Sequence, residues 1–159
     1  MYKIIKSGDY QLHKQNYLKL ISEMFKDDND KLANIQEITE HLNFIFHNNL
    51  NSFLILQLDN DELISMINGY EYSDKQWCLF SLFTKKEYRR RGYAKKILEL
   101  AIEEIKKYDY SMIIVGIEED NISSIKLHEK LGFKYANCDW NDLADGFPEN
   151  HLGFIYDRR

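Results

Sequence analysis

The chain has 159 residues, 44% hydrophobic and 30% charged, which is the balance of an ordinary globular protein long enough for one domain with a real core. Its 21 Lys and Arg against 26 Asp and Glu leave a formal charge of −5, which argues against wholesale nucleic-acid binding. Cys78 and Cys138 form neither a metal spacing nor a disulfide framework, and no apolar run approaches the ~20 residues that span a bilayer, so a reducing, cytoplasmic setting with no membrane partner is expected.

Tyr2–Lys6 reads as a short strand, and Asp9 as the cap of a helix with apolar positions at Leu12, Tyr17, Leu20, Ile21 and Met24. The acidic break 27–30 reads as a solvated loop. It separates that helix from a second with a stripe of Leu32, Ile35, Ile38, Leu42, Ile45 and Phe46. His41 and His47 do not share one face of it, which argues against a metal site. From Ser52 the period changes to that of strands. Phe53–Leu58 and Leu63–Tyr70 flank a polar turn as a hairpin, and Asp74–Gln76 turns the chain into a third strand at Cys78–Phe83.

Next comes Lys85-Lys86-Glu87-Tyr88-Arg89-Arg90-Arg91-Gly92-Tyr93-Ala94-Lys95-Lys96. Ala94, Ile97, Leu98, Ala101 and Ile105 then recur at helical spacing, with Glu99, Glu103, Glu104, Lys106 and Lys107 on other faces. A helix start carries partial positive charge and ordinarily attracts Asp or Glu, yet here it is crowded with Arg and Lys. Two readings are open: a solvated basic loop, or an anion site built on free backbone N–H groups, with Gly92 admitting close approach. Met112–Ile117 is a wholly apolar strand of the kind covered on both faces. Asn121 can cap a helix ended by Gly132, and two further strands follow, one opening at Phe133 and one at about His151–Tyr156.

Arg89-Arg90-Arg91-Gly92-Tyr93-Ala94 fits the pattern Arg/Gln-x-x-Gly-x-Gly/Ala, and Asn121–Phe133 fits Asn-x-x-Ala-x-x-Leu-Tyr-x-x-x-Gly-Phe, with Ser124 and His128 as departures. With both motifs, in this order, the chain resembles the GNAT superfamily of N-acetyltransferases over roughly residues 76–136. The resemblance implies an α/β fold, a GNAT-like mixed, mostly antiparallel sheet flanked by helices in the order β-α-α-β-β-β-α-β-α-β-β, as one domain over 1–159. It also implies acetyl-CoA as co-substrate, with no metal, and direct transfer to the primary amine of a small molecule or peptide in a ternary complex. Carried over by position, Leu82, Phe83 and Thr84 lie beside the pantetheine arm. Arg90, Arg91, Gly92, Tyr93, Ala94 and Lys95 surround the pyrophosphate, largely through main chain.

Asn121 falls near the same arm, with a plain helix cap as the other reading, and Leu82 and Phe83 can equally be core. His128 stands where the family often has a tyrosine that protonates the departing thiolate. A histidine can donate too, which predicts activity sensitive to pH across about 6 to 8, and a buried structural histidine is the other reading. Cys78 reads as packing. Glu71, Glu118 and Glu119 are positional candidates for a base. Asp139, Asp142, Asp145 and Glu149 form an acidic loop that is either solvated or attractive to a cationic amine. No P-loop or dinucleotide-binding motif competes. The alternatives are a longer acyl-CoA, or a CoA-binding sensor or interaction module without turnover. Homodimers are common in the family, but no interface is legible here.

Overall fold

Apolar side chains on both faces of the central strands decide the architecture. The computed structural model describes residues 1–26, 32–48, 51–139 and 150–158, with main chain only at 32–34 and 138–139. Strand β1 (Tyr2–Ile5) is followed by helices α1 (Ser7–Phe25) and α2 (Leu32–His47), then by strands β2 (Ser52–Asp59), β3 (Glu62–Ser73) and β4 (Gln76–Thr84). Helix α3 (Tyr93–Ile105), strand β5 (Met112–Glu118), helix α4 (Ile122–Lys130) and strands β6 (Lys134–Asp139) and β7 (His151–Asp157) complete the order read from the sequence.

The strands form one sheet, ordered β1-β2-β3-β4-β5-β7-β6. Neighbours are antiparallel except β4 and β5, which the α3 crossover makes parallel. In β2, Leu54, Leu56 and Leu58 join the core beneath α1 and α2, while Phe53 and Ile55 join the core beneath α3. Helices on both faces therefore bury strands that would show a polar side in an open antiparallel sheet. The β2–β3 hairpin turns on Asn60 (φ 47°) and Asp61 (φ 65°), two left-handed residues whose twist suits a two-residue turn.

Two local expectations are corrected. Helix α1 begins at Ser7, with Lys6 in the capping position and no side-chain cap. Asp9 lies inside the first turn and accepts a hydrogen bond from the Tyr17 hydroxyl instead. Leu12 is 80% exposed, since the helix breaks at His13 (φ −123°) and the apolar stripe restarts beyond it.

Glu104, which the helical spacing sets off the apolar stripe of α3, is nevertheless only 4% exposed. Lys6 and Lys107 each reach it at 2.5 Å, and Lys6 also donates to the Tyr108 hydroxyl at 2.9 Å, so the β1–α1 junction is tied to α3. Burial raises the Glu104 pKa, but the bonds from Lys107 and Lys6 outweigh it and hold the carboxyl below its ordinary value. A depressed carboxyl contributes stability above its unfolded pKa and loses it as pH falls through the folded one. Glu104→Gln is therefore expected to cost about 1–3 kcal/mol in urea unfolding at pH 7. The difference from wild type should shrink below pH ~4.

Candidate active site

β4 and β5 pair only at Gln76–Cys78 with Met112–Ile114. Beyond that point β4 carries a bulge: Met66 faces Phe83 and Asn68 faces Phe80, so three steps on β4 match two on β3, and Ser81 takes φ 52°. A bulge bends its strand, which gives the separation from β5 a local cause. Leu79–Phe83 and Val115–Glu118 then line opposite sides of a cleft of about 1210 Å³. Helix α2 closes it from above through Glu37, Ile38, Glu40, His41 and Phe44, and α4 contributes Ser124 and His128.

The turn after β4 gathers free backbone donors and positive charge. A 3-10 turn, Lys86–Tyr88, leads through Arg89 to Arg90 (φ 60°) and Gly92 (φ 85°) before α3 starts at Tyr93. The first bond closing α3 runs from the Lys96 N–H to the Gly92 carbonyl at 3.0 Å, so the N–H groups of Tyr93, Ala94 and Lys95 precede the ladder. Left-handed residues just before a helix start make a concave row of donors, reinforced by the helix dipole. No atom lies within 4 Å of where a Gly92 Cβ would stand, so the approach is open.

The basic run divides by task. Lys85 pairs with Glu62 and, at 3.2 Å, with Glu87, while the Tyr88 hydroxyl donates to Glu62 at 3.0 Å; together they pin the turn to the β2–β3 hairpin. Arg89 Nε donates to the Thr84 carbonyl at 3.0 Å, and its guanidinium lies 5.5 Å from the Phe83 ring. Lys95 leans toward Glu99 at 3.6 Å. Arg90, Arg91 and Lys96 have no carboxylate partner among the described residues, and their charge remains at the turn.

Leu82, Phe83, Asn121 and His128 all line the cleft. Thr84 stands outside the lining: its buried hydroxyl meets Ser65 Oγ at 2.9 Å, and its carbonyl is occupied by Arg89. Phe83 also packs on Phe25, with ring centroids 4.2 Å apart, so it serves core and cleft together. Asn121 Oδ1 accepts the Ser124 N–H at 3.2 Å and is the helix cap as well as a cleft residue. At the other end of α4, Phe133 N–H meets the His128 carbonyl and Gly132 N–H the Glu129 carbonyl, both at 3.0 Å, with Gly132 at φ 99°.

His128 is 3% exposed and stands edge-on to Phe133. Its Nδ1 lies 2.8 Å from the Ser124 carbonyl oxygen, which can only accept, so Nδ1 carries the proton. The neutral ring then bears its lone pair on Nε2, which has no hydrogen-bond partner among the described residues. Burial lowers the pKa below the ordinary histidine value, against the opposing effect of the Ser124 bond. Near neutral pH this side chain is a proton acceptor first. The pH-sensitive range expected of an unperturbed histidine moves downward accordingly.

Among the candidate bases, Glu118 and Glu119 line the cleft, whereas Glu71 is held at the far hairpin by Asn51 Nδ2 at 2.6 Å and the Lys75 N–H at 3.0 Å. Cys78 is fully buried and burial pushes its thiol well above the usual range, which fits packing. The side chains of Asp139, Asp142, Asp145 and Glu149 lie outside the described residues. No metal-binding group occurs among the described residues, and no helix there is long and apolar enough to cross a membrane.

The α2 wall escaped sequence reading. Its apolar stripe was visible, but which polar residues turn into a cleft depends on the sheet beneath. His41 is the clearest case: its ring lies 4.5 Å edge-on from Phe80, and burial lowers its pKa to about 4. Between pH 6.5 and about 4 the unfolded chain binds this proton and the native chain does not, so stability falls as pH drops through that window. The full shift corresponds to roughly 3 kcal/mol. His41→Phe should remove most of that loss, read as a smaller change in urea midpoint between pH 7 and 4.5.

The family model described as "Acetyltransferase (GNAT) family" matches residues 18–133. The chain is 27% identical over 93 residues to N-acetyltransferase 8 of Homo sapiens, a match covering 53% of this chain and 41% of that protein, so it spans less than half of that relative's length. Among solved structures, a GNAT-family acetyltransferase from Staphylococcus aureus Mu50 superposes with a TM-score of 0.71 at 20% identity, covering 99% of each chain. The PaiA N-acetyltransferase from Thermoplasma acidophilum, solved in complex with coenzyme A, gives 0.67 at 16% identity and the same coverage. With the family model matching well over half of its residues, the chain belongs to the GNAT family of acetyltransferases.

Proposed function

We propose that the chain transfers the acetyl group of acetyl-CoA directly to a primary amine of a small molecule or peptide, in a ternary complex. The observation that carries this reading is the junction of two features: a cleft opened between β4 and β5, and a donor-rich basic turn at the end of the same β4. A pyrophosphate suits the N–H groups and charges of Arg90–Lys95. An amide-bearing arm suits the β5-facing edge of β4 past Leu82 and Phe83, where pairing with β5 has ended.

Acetyl-CoA supplies an activated thioester carbonyl. His128 Nε2 takes the proton released as the amine nitrogen bonds to that carbonyl carbon, and returns it to sulfur as the carbon–sulfur bond breaks. One side chain thereby acts as base and then as acid, and no cysteine nucleophile is needed. Asn121, fixed as the α4 cap, orients the chain beside the arm. A reducing cytoplasmic setting belongs to the same proposal, supported by the unpaired thiol of Cys78.

Calorimetric titration with acetyl-CoA, with CoA and ATP in comparison, tests the cofactor. Saturable acetyl-CoA binding and amine-dependent thiol release are expected. Binding with no release for any amine would leave a CoA-binding module, and failure to bind would overturn the functional reading.

A further inference from the structure

Helix α4 turns a polar stripe to the cleft. Asn121, its cap, is followed at helical spacing by Ser124 and His128, and all three line the cleft. The two departures from the second motif are therefore neighbours. Ser124, where the pattern has alanine, and His128, where it has tyrosine, lie one turn apart and touch.

Ser124 offers His128 two oxygens. Its carbonyl oxygen lies 2.8 Å from Nδ1, and its hydroxyl oxygen lies 3.4 Å from the same nitrogen. Because the carbonyl can only accept, Nδ1 bears the hydrogen, and the hydroxyl oxygen meets that N–H as a second, longer acceptor. An alanine would keep the first contact and lose the second. Ser124 is itself held in place, since its N–H donates to Asn121 Oδ1 at 3.2 Å. The second acceptor counts most when the ring is charged: a bond from an ionised donor is roughly twice as strong, and this ring is 3% exposed. Among the described residues no other group does this service. Glu118, Glu119 and Asp120 at the end of β5 and His151 at the start of β7 share the cleft, but none bonds to the ring. Phe133 packs edge-on to it, and Tyr156 of β7 reaches only Phe133.

We infer that Ser124 is a positioning residue for the transfer: its carbonyl and hydroxyl together hold the Nδ1 hydrogen of His128, which keeps Nε2 as the proton acceptor and steadies the ring while it is protonated. The proton passes from the amine nitrogen to Nε2 and on to the departing sulfur, and Nδ1 keeps its own hydrogen throughout. Ser124 and His128 act as one unit, so the serine matters only while the histidine is there.

This inference rests on the reading of His128 as the transfer base, so contact and turnover are measured separately. The contact is read in the ligand-free protein by NMR titration of the His128 Cε1–H. Ser124→Ala should move the midpoint downward, because the protonated ring loses an acceptor, while Ser124→Thr, which keeps a hydroxyl, should stay near wild type. In turnover, Ser124→Ala should lower kcat roughly three- to tenfold with the KM for acetyl-CoA little changed. The acid limb of the kcat profile should move in the same direction as the NMR midpoint, and Ser124→Thr should recover most of the rate. In a His128→Tyr background the same Ser124→Ala change should alter kcat less than about twofold.

An unshifted midpoint, an unchanged kcat in Ser124→Ala, an equal loss in Ser124→Thr, or an equal loss in the His128→Tyr background would overturn the inference. Absence of amine-dependent thiol release from the wild type is a different failure. It ends the transferase reading, and the positioning role with it, while the NMR shift still reports the contact.

Discussion

Gly92→Glu is expected to lower acetyl-CoA affinity about 100-fold or more, with heat of binding disappearing at micromolar protein. The side chain would start from the residue that precedes the α3 N–H groups, at a position where an added Cβ meets nothing within 4 Å. A carboxylate and a phosphate a few ångströms apart repel by about 4 kcal/mol at the effective dielectric of a protein surface, enough for that loss. A second effect must be separated from it. At φ 85° any side chain costs about 1–2 kcal/mol of stability. Gly92→Ala carries the same backbone strain without the charge. Urea midpoints should fall alike in the two variants, while only Gly92→Glu loses the ligand. Loss of binding in both would assign the effect to the backbone, and retained binding in Gly92→Glu would remove the pyrophosphate from this turn.

His128→Phe should reduce kcat by about 10²–10⁴-fold, the range of a positioned acid–base group, with the KM for acetyl-CoA changed little. Phenylalanine keeps the packing against Phe133 and removes Nε2. The sign of the pH effect follows from the burial of this ring. Its pKa is lowered, the neutral form is the active base, and kcat should rise with pH through a midpoint below about 6.5 and then level off. A tyrosine donor would give no such acid limb. If His128→Phe leaves both rate and profile intact, His128 is a structural residue and proton removal belongs elsewhere, with Glu118 and Glu119 the next candidates in the cleft.

Much of this was legible because it is local. Helix α3 follows its apolar spacing, with Ile97, Leu98, Ala101 and Ile105 all buried, and the hairpin follows its polar turn. The Gly132 stop and the Asn121 cap are set by residues within one turn of each other. The partners of Asp9 and Glu104 were not legible, for the opposite reason. Asp9 meets Tyr17 across the break at His13, which the apolar spacing does not show, and the partners of Glu104 include Lys6, 98 residues away, beyond any window of neighbouring positions.

The order of strands and helices and the basic turn at Arg89–Lys95 are written in short stretches of the chain. So is the place of His128 in the second motif, since periodicity, capping and motif spacing are local properties. The assembled fold adds that β4 parts from β5 after three paired positions, that α2 brings Glu37, Glu40 and His41 to the cleft, and that burial favours the neutral form of His128. Strand separation, wall formation and desolvation all arise from contacts between elements distant in the chain, and those contacts exist only once the sheet is assembled.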